Sequence, residues 1–383
     1  MTHRPTHLIA PHRFFFPAAT LYAAIAIPLW LTIRAGHLTA PALLPAGLWH
    51  VQEMLFGYVF AVIAGYLLTP VATYRLAGLA MLWLAGRLVW LIGNPLPDAV
   101  TFVIACAFPL ALSWMGAARF RAAKRARNRV FAVILLCLGA VAVIFYGLIV
   151  TGQAMLAYRV IYIPLFLILL FILTMGGRLI PPATIGALRE SGREVRIPFQ
   201  PHHESTIIGC AAALICFELL PQAALWSGLT ALALAITILA RMRTWHSFAI
   251  FNRPELWPLH LGYAWIAVGF GVLGLSRLGI GGSQLAGLHL LTLGGIGTVS
   301  LTMLYRVTQQ RQRRWRLKPH RLILIQVLLA TAVVTRFISA WPAAPSTLLT
   351  LSAAAWSLAF LLFTLQALPA YLPVNRRSQR ASE

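Results

Sequence analysis

Acidic side chains are scarce in this chain, which has eight Asp and Glu residues against 31 Lys and Arg among 383 residues. Charged residues make up 10% of the sequence and hydrophobic residues 60%, a composition that excludes an ordinary soluble domain. Runs of about 20 apolar residues recur from end to end, and each is long enough to cross a bilayer. The composition therefore predicts a single all-α, polytopic membrane domain over residues 1–383.

Cysteine is scarcer still, with four residues that all fall inside apolar runs. The spacing of Cys106, Cys137, Cys210 and Cys216 contains no CxxC or CxxCH motif. This absence excludes a zinc ribbon and a covalently attached c-type haem. We expect the four thiols to be buried and to pack as small hydrophobic side chains.

The apolar runs predict twelve transmembrane helices between residues 17 and 370, with an N-terminal cytoplasmic arm at 1–16 and a basic tail at 371–383. The longest polar connection between spans is residues 176–204. The predicted spans are 18–33, 46–69, 76–92, 99–115, 130–150, 161–175, 207–220, 223–240, 257–275, 287–304, 322–338 and 347–368.

Positive charge is concentrated on one side of this arrangement. The arm, the connections after even-numbered spans and the tail hold all but five of the 31 Lys and Arg residues. Because cytoplasmic loops are enriched in these residues, both termini are predicted to be cytoplasmic. Topology thus explains the net charge of +23, so the expected partner is the lipid bilayer and not nucleic acid.

Three histidines lie within predicted spans, and two of them share a depth. His50 and His289 open spans two and ten, which both run inward, so both should lie roughly 3–6 Å inside the outer boundary. His260 opens span nine, which runs outward, and should lie on the order of 20 Å from that pair. Neutral imidazole is the commonest metal ligand among side chains. We expect His50 and His289 to serve one metal or haem centre, and His260 to be structural or to bind a second haem.

Small residues follow the first of these histidines on its own face of span two. Gly57, Ala61 and Gly65 recur there at helical spacing. They leave room for a flat macrocycle, or they let neighbouring helices pack closely. In span ten the glycines lie beside and behind His289, which indicates helix packing.

Ionisable side chains within the spans are candidate functional residues. Glu53 lies one turn below His50, where it could orient the imidazole or accept a proton. Arg87 is expected to pair with Glu218 or to meet a carboxylate of a cofactor, such as a haem propionate. The roles of Glu218 itself and of the two histidines at 202–203 stay open.

Short motifs along nearly the whole chain carry a family resemblance. They are PHRFFF at 11–16, WHVQEMLFG at 49–57, AGYLLT at 64–69, WLAGR at 83–87, TMGGRLIP at 174–181, HLGYAW at 260–265 and HLLTLGGIGT at 289–298. In their order and spacing they resemble the NnrS family, which comprises haem- and copper-containing membrane proteins associated with nitric oxide and denitrification.

The resemblance implies a b-type haem, with His50, His289 and His260 as candidate iron ligands and Arg87 and Glu53 close to the cofactor. It implies a role in handling nitric oxide or relieving nitrosative stress. It identifies no catalysed reaction, no catalytic residue, no electron donor and no oligomeric state.

Two positions depart from the family pattern. Gln52 stands where the family has a second histidine, and Arg311 lies in a segment, 310–314, where the family has Gly-His-Thr-Gly-Arg. Glutamine and arginine cannot replace imidazole as ligands for a soft or borderline metal. We therefore expect little or no copper in the protein.

Two other functions are compatible with twelve spans. A transporter without a cofactor typically has helix interruptions at matched positions in its two halves, and the sequence indicates none here. A quinol-linked b-type haem oxidoreductase is the other, because haem-copper oxidases also carry histidines on spans two and ten. The further histidines of their copper centre are missing. A visible spectrum separates the transporter from the haem proteins, and quinol-dependent reduction identifies the oxidoreductase.

Overall fold

Long helices make up nearly all of the computed structural model, which describes residues 8–38, 44–91, 96–121, 126–220, 222–312 and 315–372. Two short antiparallel strands, β1 (Leu8–Ile9) and β2 (Val71–Ala72), and one 3₁₀ turn (Ser247–Ile250) are the other regular elements of these ranges. The helices are α1 (His12–Arg34), α2 (Ala46–Leu67), α3 (Thr73–Leu88), α4 (Asp98–Arg121), α5 (Ala126–Val150), α6 (Ala154–Glu190), α7 (Pro201–Leu219), α8 (Ala224–Met242), α9 (Trp257–Arg277), α10 (Gln284–Arg311), α11 (Pro319–Ile338) and α12 (Thr347–Tyr371).

The prediction of an all-α, polytopic membrane protein is confirmed, whereas the number of twelve spans is not. Ten of the helices in the described ranges are long and apolar enough to cross a membrane. Helix α3 has 16 residues and spans about 24 Å, less than the ~30 Å hydrocarbon core. Helix α7 opens with His202, His203 and Glu204, whose polarity lowers its mean hydropathy.

Four of the described helices end at a glycine in the left-handed conformation, and α1 and α9 are two of them. After α1, Gly36 has a φ of +75°, and its N–H donates to the Ile33 carbonyl at 3.1 Å. The N–H of His37 donates to the Thr32 carbonyl at 3.0 Å, which completes the hydrogen-bond pattern of a Schellman motif. Gly279 ends α9 with a φ of +70°. A side chain at either glycine would strain the turn that directs the chain toward the next helix.

The connection after the sixth predicted span is shorter than expected. Helix α6 continues through a Pro-Pro pair to Glu190, so only residues 191–200 connect it to α7. Ile180, Thr184 and Leu188 recur every four residues along the buried side of this extension. A helix is favoured over a loop here because its periodicity places these three residues on one buried face.

The N-terminal arm is also shorter than predicted. Helix α1 begins at His12, ahead of the expected boundary at residue 16, and the His12 side chain is buried. Arg311 donates a hydrogen bond to its Nδ1 at 2.6 Å, which ties the start of α1 to the end of α10. The rest of the arm at 1–7 and the tail at 373–383 lie outside the described residues.

The four thiols are only partly buried. Cys106 is buried as expected and Cys210 is half-buried, but Cys137 and Cys216 are exposed on the surfaces of α5 and α7. The prediction of burial is wrong for the exposed pair because a membrane helix can turn apolar side chains toward lipid as well as toward its neighbours.

Candidate two-histidine site

Helices α2 and α10 share an uncommon feature beside their histidines. Each contains a π-helical segment, Glu53–Val59 in α2 and Leu290–Gly297 in α10. His50 precedes the first segment by one turn, and His289 directly precedes the second. Such segments are rare and frequently lie at functional sites. Each of the two histidines therefore lies beside a local change in the hydrogen-bond pattern of its helix, although neither helix is broken.

The same two helices bring both histidines to one cavity. Tyr58 of α2 and Ser300 of α10 join the helices through a buried hydrogen bond of 2.6 Å between their hydroxyl oxygens. The cavity, about 30 Å³ in volume, has a largely apolar and aromatic wall. The lining residues are Ile27, Trp30, His50, His289, Leu293, Arg336, Leu349, Ser352, Ala353 and Trp356. The two histidines are thus neighbours, and their binding of a cofactor stays a prediction.

The two imidazoles are held in different ways. Nδ1 of His289 lies 2.8 Å from the Leu285 carbonyl oxygen. Because a carbonyl only accepts, Nδ1 carries the proton and Nε2 keeps its lone pair. The His50 ring lies 4.6 Å from the Trp30 ring, and among the described residues its nitrogens have no hydrogen-bond partner. Both histidines therefore keep a nitrogen for an added ligand.

Arg336 is a residue of this cavity that the histidine pattern missed. Its side chain is buried, lines the cavity and donates to Ser339 Oγ at 3.0 Å. No carboxylate in the described ranges forms an ion pair with it. Trp30 Nε1 is likewise buried without an acceptor. A buried cation without a counter-ion is a suitable partner for an anionic group. The position of Arg336 within a predicted span was the feature of the sequence that could have identified it as a site residue.

The two charged candidates, Glu53 and Arg87, form a buried ion pair with each other. Glu53 also accepts hydrogen bonds from the Tyr22 hydroxyl and the Gln52 amide. Tyr146 in turn donates to the Gln52 carbonyl oxygen at 2.8 Å. This network joins α1, α2, α3 and α5, so its first role is to hold four helices in register.

Two of the predicted roles for these charges are wrong. Glu218 does not pair with Arg87 but with Arg277. Within the described part of the chain, no hydrogen bond joins Glu53 to His50. The reason is that the carboxylate points to α3, whereas the imidazole stacks on a tryptophan of α1.

The small residues below the α2 histidine leave no room for a macrocycle. A Cβ at Gly57 would lie 2.8 Å from Arg87 and 2.9 Å from Tyr22. A Cβ at Gly65 would lie 2.5 Å from the ring of Phe16. Helices α1 and α3 already fill this surface, so the close-packing alternative is confirmed and the macrocycle alternative is wrong.

His260 lies in a separate environment at the start of α9. Its Nε2 is 3.0 Å from Thr184 Oγ1 and its Nδ1 is 2.8 Å from Ser247 Oγ, while Trp245 meets the ring edge-on. Both nitrogens are therefore engaged by hydroxyl groups, and neither is open to a metal. This arrangement favours the structural alternative for His260.

The donor atoms and the volume of the two-histidine cavity lead to different conclusions about haem. Two imidazoles with a cation beside them suit a haem iron and its carboxylates. The cavity of about 30 Å³ is roughly tenfold smaller than the ~300–1,000 Å³ of ordinary ligand pockets. No group of three or more His, Cys, Asp or Glu in the described ranges could hold a metal ion. The porphyrin therefore does not fit this conformation of the cavity.

Fold and site together define a class: an all-α, multi-pass membrane protein in which two helices with π-segments bring their histidines to one buried cavity. The profile of the family described as NnrS protein matches residues 7–374, nearly the whole chain. The chain therefore belongs to the NnrS family, which confirms the resemblance carried by its motifs. A search among curated proteins gives no significant match.

Proposed function

We propose that this protein handles nitric oxide or relieves nitrosative stress in the inner membrane of a bacterium, and that His50 and His289 form its ligand-binding centre. The observation that carries the proposal is the cavity shared by these two histidines. The volume of the cavity is close to the ~30 Å³ that one water molecule occupies in the liquid. A diatomic gas is of similar size, so the cavity suits such a ligand. Its apolar wall suits a small uncharged ligand that reaches the site through the bilayer.

Haem is the cofactor that membership of the family suggests for this centre. When bound, it would supply an iron that takes nitric oxide, and His50 and His289 are the residues that would hold it. Haem would need a wider conformation of this site than the one described, because the cavity has a volume of about 30 Å³. The guanidinium of Arg336 is placed to meet a haem carboxylate.

The test uses the full chain purified in detergent. Haem is quantified by the pyridine haemochrome assay, and spectra of oxidised and reduced protein are recorded with and without nitric oxide. We expect haem in the wild type and a spectral shift with nitric oxide. His50→Ala and His289→Ala should each lose haem or change its spin state. His320→Ala removes an exposed histidine at the start of α11 and should leave the spectra unchanged.

Two results would overturn the proposal. One is a wild-type spectrum in both His50→Ala and His289→Ala, which would mean that the two helices do not hold the centre. The other is a wild-type protein that contains no haem and does not respond to nitric oxide. Gel filtration of each variant verifies that a lost spectrum does not result from a lost fold.

A transporter without a cofactor is the second candidate, because one observation favours it. Departures from regular α geometry commonly lie at the substrate site of transporters, and the π-segments of α2 and α10 are two such departures beside one cavity. A colourless protein whose His50→Ala variant loses substrate transport would support this candidate. No feature of the described structure favours the quinol-linked oxidoreductase, for which quinol-dependent haem reduction is the test.

A further inference from the structure

A larger cavity lies at the other end of the bundle, beside the basic loops. It has a volume of about 580 Å³ and is formed mainly by the C-terminal parts of α2, α4, α6 and α10. We call it the basic chamber, because three arginines and no carboxylates occur among its described lining residues. These residues are Tyr66, Leu67, Arg119, Phe120, Met175, Leu179, Pro182, Ala183, Leu259, Met303, Arg306, Val307, Gln310 and Arg311.

The three arginines of the basic chamber lack acidic partners. Arg119 donates to the last carbonyl of α2 at 2.9 Å, and Arg306 donates to the backbone carbonyl of Glu255 at 3.4 Å. Arg311 donates to Nδ1 of His12 at 2.6 Å. All three acceptors are neutral, and the Glu255 carboxylate pairs with a different arginine. In the described ranges every ion pair uses other cations, so the chamber carries unbalanced positive charge.

The basic chamber continues into an apolar one. A cavity of about 100 Å³ lies deeper between α2, α6 and α10, and no charged residue lines it in the described ranges. Five residues line both cavities, namely Tyr66, Met175, Leu179, Leu259 and Met303. The two cavities therefore adjoin, and we call them together the path: three guanidinium groups lie at one end and apolar side chains at the other.

We propose that this path binds one anionic phospholipid, with its phosphate on Arg119, Arg306 and Arg311 and the first few carbons of an acyl chain between α2, α6 and α10. Guanidinium groups make strong charge-assisted hydrogen bonds to phosphate. Basic pockets between transmembrane helices on the cytoplasmic side are established sites for anionic lipid headgroups. Free phosphate would leave the apolar part unfilled, and a zwitterionic lipid would leave the positive charge unbalanced. The site is independent of the two-histidine cavity.

Native mass spectrometry of the delipidated full chain tests the headgroup part of the proposal. The protein is titrated with phosphatidylglycerol and with phosphatidylcholine that carry the same acyl chains. We expect one bound lipid and a preference for phosphatidylglycerol. Arg306→Gln combined with Arg311→Gln should weaken that binding about thirtyfold, the change that corresponds to about 1 kcal/mol for each cation. Arg121→Gln combined with Arg321→Gln removes the same charge from exposed positions at the same end and should have no effect.

A second pair of variants tests the acyl part. Val62 lines the apolar chamber, so Val62→Phe should displace the acyl chain and weaken phosphatidylglycerol binding. Val268 is exposed on α9, so Val268→Phe adds the same bulk outside the path and should have no effect. The thermal stability of all variants is compared, so that a loss of lipid can be separated from a loss of fold.

Three outcomes would overturn the proposal. Equal affinity of the wild type for the two lipids would remove the role of charge. Full phosphatidylglycerol binding by the double variant at Arg306 and Arg311 would place the lipid elsewhere. Displacement of the lipid by inorganic phosphate, with Val62→Phe still binding normally, would mean a plain anion site.

Discussion

The buried pair of Glu53 and Arg87 leads to a quantitative prediction: Glu53→Gln should destabilise the protein by about 3–5 kcal/mol. The substitution removes the negative charge and leaves a guanidinium that is 5% exposed without its counter-ion. It also weakens the hydrogen bonds that Tyr22 and Gln52 now donate to the carboxylate. The isolated cation dominates, because a single neutral hydrogen bond contributes only about 0.5–1.5 kcal/mol.

The assay is reversible unfolding by SDS in mixed micelles, with the free energy of unfolding compared between variants. Arg87→Gln should be about as destabilising as Glu53→Gln, and the double variant should be less destabilised than the sum, because no charge is then left alone. Glu190→Gln is the matched control. It breaks a pair with Arg253 in which the carboxylate is 69% exposed, so it should cost about 1 kcal/mol or less.

The reasoning would be refuted if Glu53→Gln were as mild as Glu190→Gln, or if the two single effects at Glu53 and Arg87 simply added. A stable Glu53→Gln variant that loses haem would further show that this carboxylate acts on the cofactor and not on the fold. The same preparations therefore separate the structural role from a role in the site.

Copper content, topology and the inner histidine provide the remaining tests. Purified protein should contain little or no copper, since Gln52 and Arg311 offer no imidazole; stoichiometric copper after chelator treatment would contradict this. Reporter fusions in the loops at 119–129 and 311–321 should report a cytoplasmic position, and an external signal from either would disprove the predicted topology. His260→Ala should lower the free energy of unfolding by about 1–3 kcal/mol, because it removes two hydrogen bonds and leaves the Ser247 hydroxyl without its partner, with unchanged absorption; an altered spectrum would reveal a cofactor ligand.

The all-α class and the proximity of the two histidines could be predicted because both follow from how deep each residue lies in the membrane. Apolar runs identify the spans, and charge bias orients them. Two histidines at the start of spans that run in the same direction must lie at a similar level. His50 and His289 do line one cavity. Membrane depth is therefore the quantity that a single sequence of this kind specifies well.

Rotation about the helix axis is less well specified, and the charged residues illustrate this. Glu53 and Glu218 are both placed by sequence near the same side of the membrane as Arg87, so depth cannot decide which of them pairs with the arginine. The structure pairs Arg87 with Glu53. Which carboxylate pairs with Arg87 depends on which helices pack against each other. A hydropathy pattern contains no information about helix neighbours.

The π-segments were missed for a different reason. A π-segment inside an apolar helix has the same composition as the α-helix around it, so no hydrophobic period reveals it. The glycines of Leu290–Gly297 were visible, but small residues in a membrane helix indicate packing first. For Gly57 and Gly65 in α2 that interpretation is the right one, because aromatic side chains of α1 fill the space.

In α10 the glycines affect the cavity as well as the packing, because Trp356 takes part in both. A Cβ at Gly297 would lie 2.6 Å from the Trp356 ring, so only glycine lets the indole approach the π-segment this closely. The indole N–H donates to the Ala23 carbonyl at 2.9 Å, which fixes the rotation of the ring. The same ring forms part of the wall around His50 and His289. A glycine that does not line the cavity thus sets the position of its wall, and with it the space left between the two imidazoles.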